Sequence, residues 1–489
     1  MSELKFDKES VLELFGLEGK DVQDITYRNS NGSALIDVTL EPQYEPCPNC
    51  GTLMPKIRGY YLKNITHSVL TDRKCILNYH VRRYECRACH HTYREANPFV
   101  FGNMMISALT VQKILTDLKN YNETFSSVAR RYHISPTTAA SIFDNHVQIP
   151  RRTLPELINF DEVYAFRNYS DKYVCVLLDF KTHKPIDLLN SRRKDRLISY
   201  FMTIPMEERK KVIACSFDMY DTYRSVMRFC FPNSIGIVDH FHLCQELSRQ
   251  VDRVRIRTMK AFRKDTDEYY LLKKFNWMLY RHSDDSAKDG KPLFDPNRER
   301  IHNYHFRYKL NYYDIREKLL NINPELSESW KLKENVNDFY RTSTDKTGEE
   351  NFKILLEQFR TSIVPEMRHF ARTLLKWKIE IINSLTVYSY NYKVAKDTGQ
   401  VAVHNLKMSS ALIENRNSII KCIKKNANGY TNWDRFRNRT MYVLDKDATF
   451  SLNPIIKDSS VKSKRADNEV LASDPLISEE TDQAKQEHS

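Results

Sequence analysis

No run of about 18 apolar residues occurs anywhere in the chain, and its first ten residues, MSELKFDKES, hold no apolar stretch of the kind an export signal needs. Neither a membrane span nor a secretory leader is expected, and the chain reads as a soluble, unexported protein. Cysteine is sparse as well, with ten in 489 residues, four of them in two C-x-x-C pairs and the rest scattered. That usage argues against a disulfide framework and for metal ligation in a reducing cytoplasm. Acidic residues are outnumbered, 63 Asp and Glu against 76 Lys and Arg, a formal charge of +13. The balance favours a polyanionic partner, with nucleic acid the leading candidate and charge that only aids solubility the plain alternative. Hydrophobic residues at 41% and aromatics at 11% suffice for real cores, and a chain of 489 residues exceeds what one core usually supports.

The stretch Lys211 to His242, KVIACSFDMYDTYRSVMRFCFPNSIGIVDHFH, organises the rest. Val212 to Phe217 is a nearly unbroken apolar run followed by Asp218, the pattern of a strand buried on both faces that delivers a carboxylate to a sheet edge. Tyr223, Val226, Phe229 and Cys230 recur at helical spacing, Pro232 and Asn233 end that helix, and Ile235 to Val238 runs into Asp239-His240-Phe241-His242. Strand ends of open α/β sheets collect ligands, so Asp218, Asp239 and His242 are candidates for one polar site; the competing reading is a helix N-cap and a turn residue. Upstream, Leu157 to Phe160 ends in Asp161-Glu162, and strands are expected at Tyr173 to Leu178 and Pro185 to Leu189, with a helix near Lys194 to Thr203. Three strands, a helix, a strand, a helix and a strand is the order of a ribonuclease H-like sheet, in which Asp161 and Asp218 lie side by side. Two carboxylates forced together repel unless a divalent cation neutralises them, which points to magnesium or manganese.

Nearer the N-terminus, Val11, Leu12, Leu14 and Phe15 form a short helical pattern and Ala34 to Leu40 alternates as a strand does. Cys47-Pro48-Asn49-Cys50 and Cys86-Arg87-Ala88-Cys89 follow, with basic, strand-like sequence between them. Four thiolates in two tight pairs match a tetrahedral structural zinc, which would close a small sheet too poor in apolar residues to fold alone. His67, His80, His90 and His91 are read as bystanders. Residues 107–147 are helical, and Ser135 capping a helix that begins at Pro136, with small Ala129 on the preceding one, suits a helix-turn-helix presenting Thr137, Thr138 and Ser141 to a DNA groove. A generic helical hairpin is the alternative. Residues 243–400 carry long charged helical segments that either hold DNA or form a solvated face. On the helix around Met408 to Lys421, Leu412, Ile419 and Ile423 form an apolar stripe and Glu414, Ser418, Lys421 and Lys425 a polar one. Beyond about Lys457 the composition is that of a disordered tail.

Together the double Cys pair with YECRACHHTY, the helix-turn-helix, INFDEVYAF, LLDFKTHKPIDLL, IVDHFH, IENRNSIIK and GYTNWDRFRNR resemble the ISL3 family of bacterial insertion-sequence transposases, over nearly the whole chain. The resemblance implies a DDE transposase, multidomain α+β, with a ribonuclease H-like α/β catalytic core interrupted by a large helical insertion. The units expected are an N-terminal segment (1–40), a zinc-binding module (41–100), a helix-turn-helix (104–150), the core (155–242), the insertion (243–400), the last part of the core (405–445) and the tail (457–489). It implies Asp161 as the first acid and Glu414 as the last. Strand order assigns Asp218 as the middle acid, with Asp239 and His242 as an accessory D-x-x-H motif; the rival takes Asp239 as the middle acid. It further implies magnesium or manganese at Asp161, Asp218 and Glu414, double-stranded DNA as partner (terminal inverted repeats and target), at least a dimer on DNA, and a bacterial, nucleoid-associated location. Arg130, Arg131, Lys421, Lys425, Arg437 and Arg439 are the cations expected on phosphates. Rival functions are a zinc-containing DNA-binding regulator with an inactive nuclease-like domain, and a nuclease that only hydrolyses.

Overall fold

In the computed structural model, which describes residues 8–70, 72–165, 171–393, 401–409 and 411–453, Asn31 and Gly32 (φ 49° and 76°) close a hairpin between β1 (Val22–Ser30) and β2 (Ser33–Leu40). Asn-Gly suits that turn because both of its central positions need positive φ. β2 continues in parallel onto β4 (Cys75–Cys86), which pairs antiparallel with β3 (Pro55–Thr66) and β5 (Thr92–Arg94). Helix α1 (Lys8–Leu14) closes one face: Val11 and Phe15 pack in one core with Ile36, Val38, Leu77 and Tyr79. The expected boundary between residues 40 and 41 is therefore not a boundary. The cysteine-bearing hairpin does not depend on metal alone for its interior, because β2 and α1 supply the apolar residues that the local sequence lacks.

Three helices follow: α2 (Ala108–Asp117), α3 (Phe125–Arg131) and α4 (Pro136–His146). Each begins on a hydroxyl that accepts from the backbone of the first turn, from Ser107, Thr124 and Ser135, and Pro136 takes the first helical position of α4 as expected. Ala129 is buried where α3 meets α4, and Val111, Ile114, Val128 and Phe143 form the small core between the three.

The central sheet takes the order β10-β9-β6-β7-β8. Its strands are β6 (Leu157–Tyr164), β7 (Tyr173–Asp179), β8 (Pro185–Leu189), β9 (Ala214–Phe217) and β10 (Ile235–Val238). The first three run antiparallel in sequence order, and β9 then lies parallel to β6 with β10 parallel to β9. The apolar runs of the sequence are continuous here because both faces are covered. On one face sit α5 (Lys194–Met202), the single turn α6 (Met206–Arg209) and α7 (Asp221–Cys230), with Phe160 of β6 among Phe201, Tyr223 and Phe231. On the other sit α15 (Ala411–Asn426) and α16 (Trp433–Leu444), whose Ile413, Ile420 and Phe436 pack on Val163, Val174 and Val176.

Between β10 and α15 the chain forms α8 (His240–Met259), α9 (Asp267–Lys274), a hairpin of β11 (Ile301–Asn303) and β12 (Tyr308–Leu310), and then α10 (Tyr312–Leu320) and α11 (Pro324–Thr342). It continues through α12 (Gly348–Arg360), α13 (Pro365–Lys376), α14 (Lys378–Asn383) and a second hairpin, β13 (Val387–Lys393) with β14 (Val401–Lys407). Within 243–400 the helical segments are accompanied by these two hairpins, and the apolar residues from Leu243 to Leu385 share one core with those of α5 and α7. Gly236 of β10 shows how tight that seam is: a Cβ there would come within 3.2 Å of Glu380 Cγ on α14. The tail expected from Lys457 lies outside the described residues.

Candidate functional site

Asn159 and Ser216 are the last paired residues of β6 and β9, and continuing the register brings Asp161 opposite Asp218. Alternation turns both side chains toward α15, the face that holds Val163. Asp161 is 8% exposed; its Oδ1 accepts from the Glu162 backbone N–H (2.7 Å) and its Oδ2 from Asn417 Nδ2 of α15 (2.6 Å). Burial raises the Asp161 carboxyl above its ordinary range. Asp218 is pushed up to about 6 by burial first and then by the negative charges of Glu162 and Asp161, with His242 pulling the other way. Two acceptor oxygens in this cluster, Asp218 Oδ1 and Asn417 Oδ1, are buried without a hydrogen-bond partner. Acceptors gathered without donors, beside carboxylates held above their normal pKa, fit a divalent cation: the donor set is all oxygen, as hard ions require.

Glu414 lies one turn before Asn417 on α15, so it shares the helix face that reaches Asp161. It is half-buried there. The buried stripe of that helix is Ile413, Asn417, Ile420 and Ile423; Ile419, expected in it, is only partly buried, and the Leu412 side chain lies outside the described residues. His242, in the first turn of α8, is close enough to Asp161 and Asp218 to lower both pKa values. Asp239 is 1% exposed at the N-cap position of α8, and its charge acts on His240, Cys244 and Tyr340. Asp218, by contrast, caps nothing: α7 starts three residues later with Tyr220 at its N-cap. Three participants were not anticipated from the sequence. Glu162 and Asn417 flank the acids, and Arg192 pairs with Glu162 while lying 3.9 Å from the Tyr173 ring. Asn417 was findable, since it follows Glu414 at helical spacing; Arg192 was not, because it comes from the loop after β8.

The two C-x-x-C turns converge: Cys47 and Cys89 sulfurs are 3.6 Å apart, as are Cys50 and Cys86, and all four lie within 4.8 Å of one another. Each turn closes on a left-handed residue, Gly51 (φ 68°) after the first and His90 (φ 56°) after the second, whose N–H groups donate to Cys47 O and Cys86 O. Hydrogen bonding with Thr52 brings the Cys50 pKa down to about 6, toward the thiolate form that a metal takes. Four sulfurs at one point match tetrahedral zinc. His90 instead bonds Glu85, as a bystander would.

The cations expected on DNA divide into two groups. Arg130, Lys421 and Lys425 are exposed, as are Thr137 and Ser141 on the outer face of α4, with Thr138 half-buried. Arg131, Arg437 and Arg439 are not available. Arg131 is held by Asp117 and Glu123, and Arg437 by Asp187 and the Ile149 carbonyl (2.8 Å). Arg439 is 1% exposed; its guanidinium donates to the carbonyls of Leu118, Asn120 (2.8 Å) and Glu123 (3.0 Å), and burial brings its pKa down to about 10. Arg437 and Arg439 are structural because α16 lies between the three-helix unit and the sheet, where Arg435 also grips Asp144 of α4 (2.6 Å) and Tyr442 donates to Leu115 O (3.1 Å). Arg439→Met should therefore loosen the three-helix unit from the sheet, costing about 3 kcal/mol as three carbonyls lose their donor. Thermal melting and hydrogen exchange at residues 118–123 check this; unchanged protection there would refute the docking role.

A zinc-finger model of the transposases of IS204, IS1001, IS1096 and IS1165 matches residues 43–89, and the ISL3 model described as a transposase matches residues 158–392. The two together span more than half the chain and include both cysteine pairs, Asp161, Asp218, Asp239 and His242, ending before Glu414. The transposase for insertion sequence element IS1001 of Bordetella parapertussis is 18% identical over 437 residues, covering 88% of this chain and 96% of that protein. With its four-cysteine zinc ribbon ahead of a mixed α/β body, the chain belongs to the ISL3 family of transposases.

Proposed function

We propose that this chain is a DDE-type transposase that binds the terminal inverted repeats of its element, cuts at the element ends and joins them to target DNA. The observation that carries the reading is the meeting of Asp161 and Asp218 on adjacent strand ends with unsatisfied acceptor oxygens beside them. The strand order supports a ribonuclease H-like core, and the capped α3/α4 pair with exposed Thr137 and Ser141 supports a helix-turn-helix that reads bases in a groove. Asp161, Asp218 and Glu414 would hold magnesium or manganese, with Asn417 orienting Asp161. Bound there, such ions supply Lewis acidity that readies water for cutting and the freed 3′-hydroxyl for joining.

The remaining work falls to the chain itself. His242, near Asp161 and Asp218, would donate to an oxygen of the scissile phosphate, and Arg192 with Glu162 would form the wall of the site beside Asp218. Asp239, buried at the N-cap position of α8 two residues before Phe241 and three before His242, would act as a positioning residue through its charge on that turn. Lys421 and Lys425 lie on the exposed face of α15 downstream of Glu414, where a phosphate backbone leaving the site would pass. Pairing two element ends requires at least two copies on DNA.

The test is incubation of the full chain with a labelled element-end duplex and magnesium or manganese. Expected are a cut that leaves a 3′-hydroxyl and a joined product with target DNA. Binding without either product would favour a DNA-binding regulator, and cutting without joining would favour a hydrolytic nuclease.

A further inference from the structure

The hairpin of β11 and β12 stands out because it is firmly anchored yet presents apolar and cationic side chains to solvent. Its turn is pinned to α9: the His305 ring stacks on Tyr270 at 3.7 Å and bonds Asp267 (2.9 Å), and Phe306 meets the same tyrosine edge-on. Its base is pinned by Arg300 on Asp314 (2.8 Å), by buried Leu310, and by Asn311, whose amide donates to Pro296 O and Arg298 O (both 3.0 Å). Against that frame Ile301 is 72% exposed and Tyr304 90% exposed, with His302 and Tyr304 in ring contact at 5.2 Å. Arg307 and Lys309 are exposed, and among the described residues no carboxylate pairs with either. Arg307 also sits at φ 60°, where its N–H closes the turn onto Asn303 O (2.8 Å). Glycine would make that turn without strain; an arginine there costs conformational energy and places a guanidinium at the tip.

We infer that this hairpin is a contact for duplex DNA, laid into a groove with Arg307 and Lys309 on phosphates and Tyr304 as the wedge at its tip. The inference rests on the transposase reading. A two-stranded ribbon matches the width of a DNA groove, and an exposed ring flanked by cations is the chemistry of groove entry with partial unstacking. Charge complementarity selects this occupant over a second copy of the chain, which would meet these unpaired cations with a net charge of +13 of its own.

The experiment measures anisotropy of a labelled duplex of about 30 base pairs lacking element sequence, titrated with full-length, zinc-loaded protein at several salt concentrations. Arg307→Ala with Lys309→Ala is expected to weaken binding at least tenfold at low salt. It should also lower the slope of log affinity against log salt by about 2, one unit for each phosphate that the protein no longer neutralises. Tyr304→Ala made alone is expected to weaken binding several-fold with the slope unchanged, because a wedge displaces no counterions. Both variants keep a Cβ at their positions and touch no core residue, so their melting should match wild type. Variants that bind with unchanged affinity and slope overturn the inference while the transposase reading stands. Self-association of wild type that the variants lose, with DNA affinity kept, overturns it in favour of a second copy. Wild type that binds no DNA at any salt overturns both readings.

Discussion

Asp161→Asn and Asp218→Asn are each expected to reduce cleavage of a labelled element end by roughly a thousandfold or more, about 4 kcal/mol of transition-state stabilisation, while end binding should stay within about twofold of wild type. Stability should move the opposite way. The folded-state pKa of Asp218, about 6, lies above its ordinary 3.8, so the folded protein binds the proton more tightly than the unfolded chain does. The stability that this proton supplies is complete below about pH 4 and lost as pH rises through 6, leaving the carboxylate a net cost on the order of 2 kcal/mol at neutral pH. Asp218→Asn removes the charge and should melt higher than wild type in a chelator at pH 7. Manganese should raise the melting temperature of wild type and not of the variant. Equal melting of the two in chelator would mean that Asp218 is not the strained acid. The parallel variant Asp239→Asn is expected to retain measurable cleavage; if it is dead while Asp218→Asn cuts, Asp239 is the middle acid. Glu414→Gln should resemble Asp161→Asn in activity but leave melting nearly unchanged, since Glu414 is half-buried on an accessible helix face.

Removing zinc has the second large effect. Cys86→Ser, or prolonged chelation, is expected to lower the zinc content from one ion per chain to near none and to weaken element-end binding by at least tenfold. Small metal modules usually unfold outright without their ion. Here the outcome should be local, because β4 runs from the shared core with β2 and α1 out to Cys86. Amide protection at Tyr84 to Cys86 should disappear while that at Leu77 to Tyr79 persists, a difference that hydrogen exchange resolves. Loss of protection along all of β4 would show that the metal, and not Val11, Phe15 and Ile36, holds this sheet together.

The strands and the cysteine turns were legible because their signals are local. Each central strand is an apolar run ended by an acid or a turn, each C-x-x-C is a complete half-site, and Ser135-Pro136 announces a helix start by its own hydrogen bond. Asp161 beside Asp218 followed from strand order alone, since alternation and register turn topology into position. What the sequence left open were relations between distant segments. Arg437 and Arg439 look like phosphate ligands as part of a basic run, and only the packing of α16 between two units makes one a partner of Asp187 and the other a buried clasp on three carbonyls. Asp218 and Asp239 both end apolar strands, and strand order favours Asp218 as the middle acid; what the sequence did not show is that the charge of Asp239, at the N-cap position of α8, acts on Tyr340, while His242 in the next turn lies close enough to Asp218 to lower its pKa. The N-terminal strands gave no sign that they would complete the zinc module, because a parallel pairing such as β2 with β4 joins residues far apart in sequence and leaves no local trace. The chain's own order thus determined which elements form and which acids can meet. Tertiary packing decided which charges remain free to act, because burial and partners set a side chain's charge state and reach, and neither is encoded within a single element.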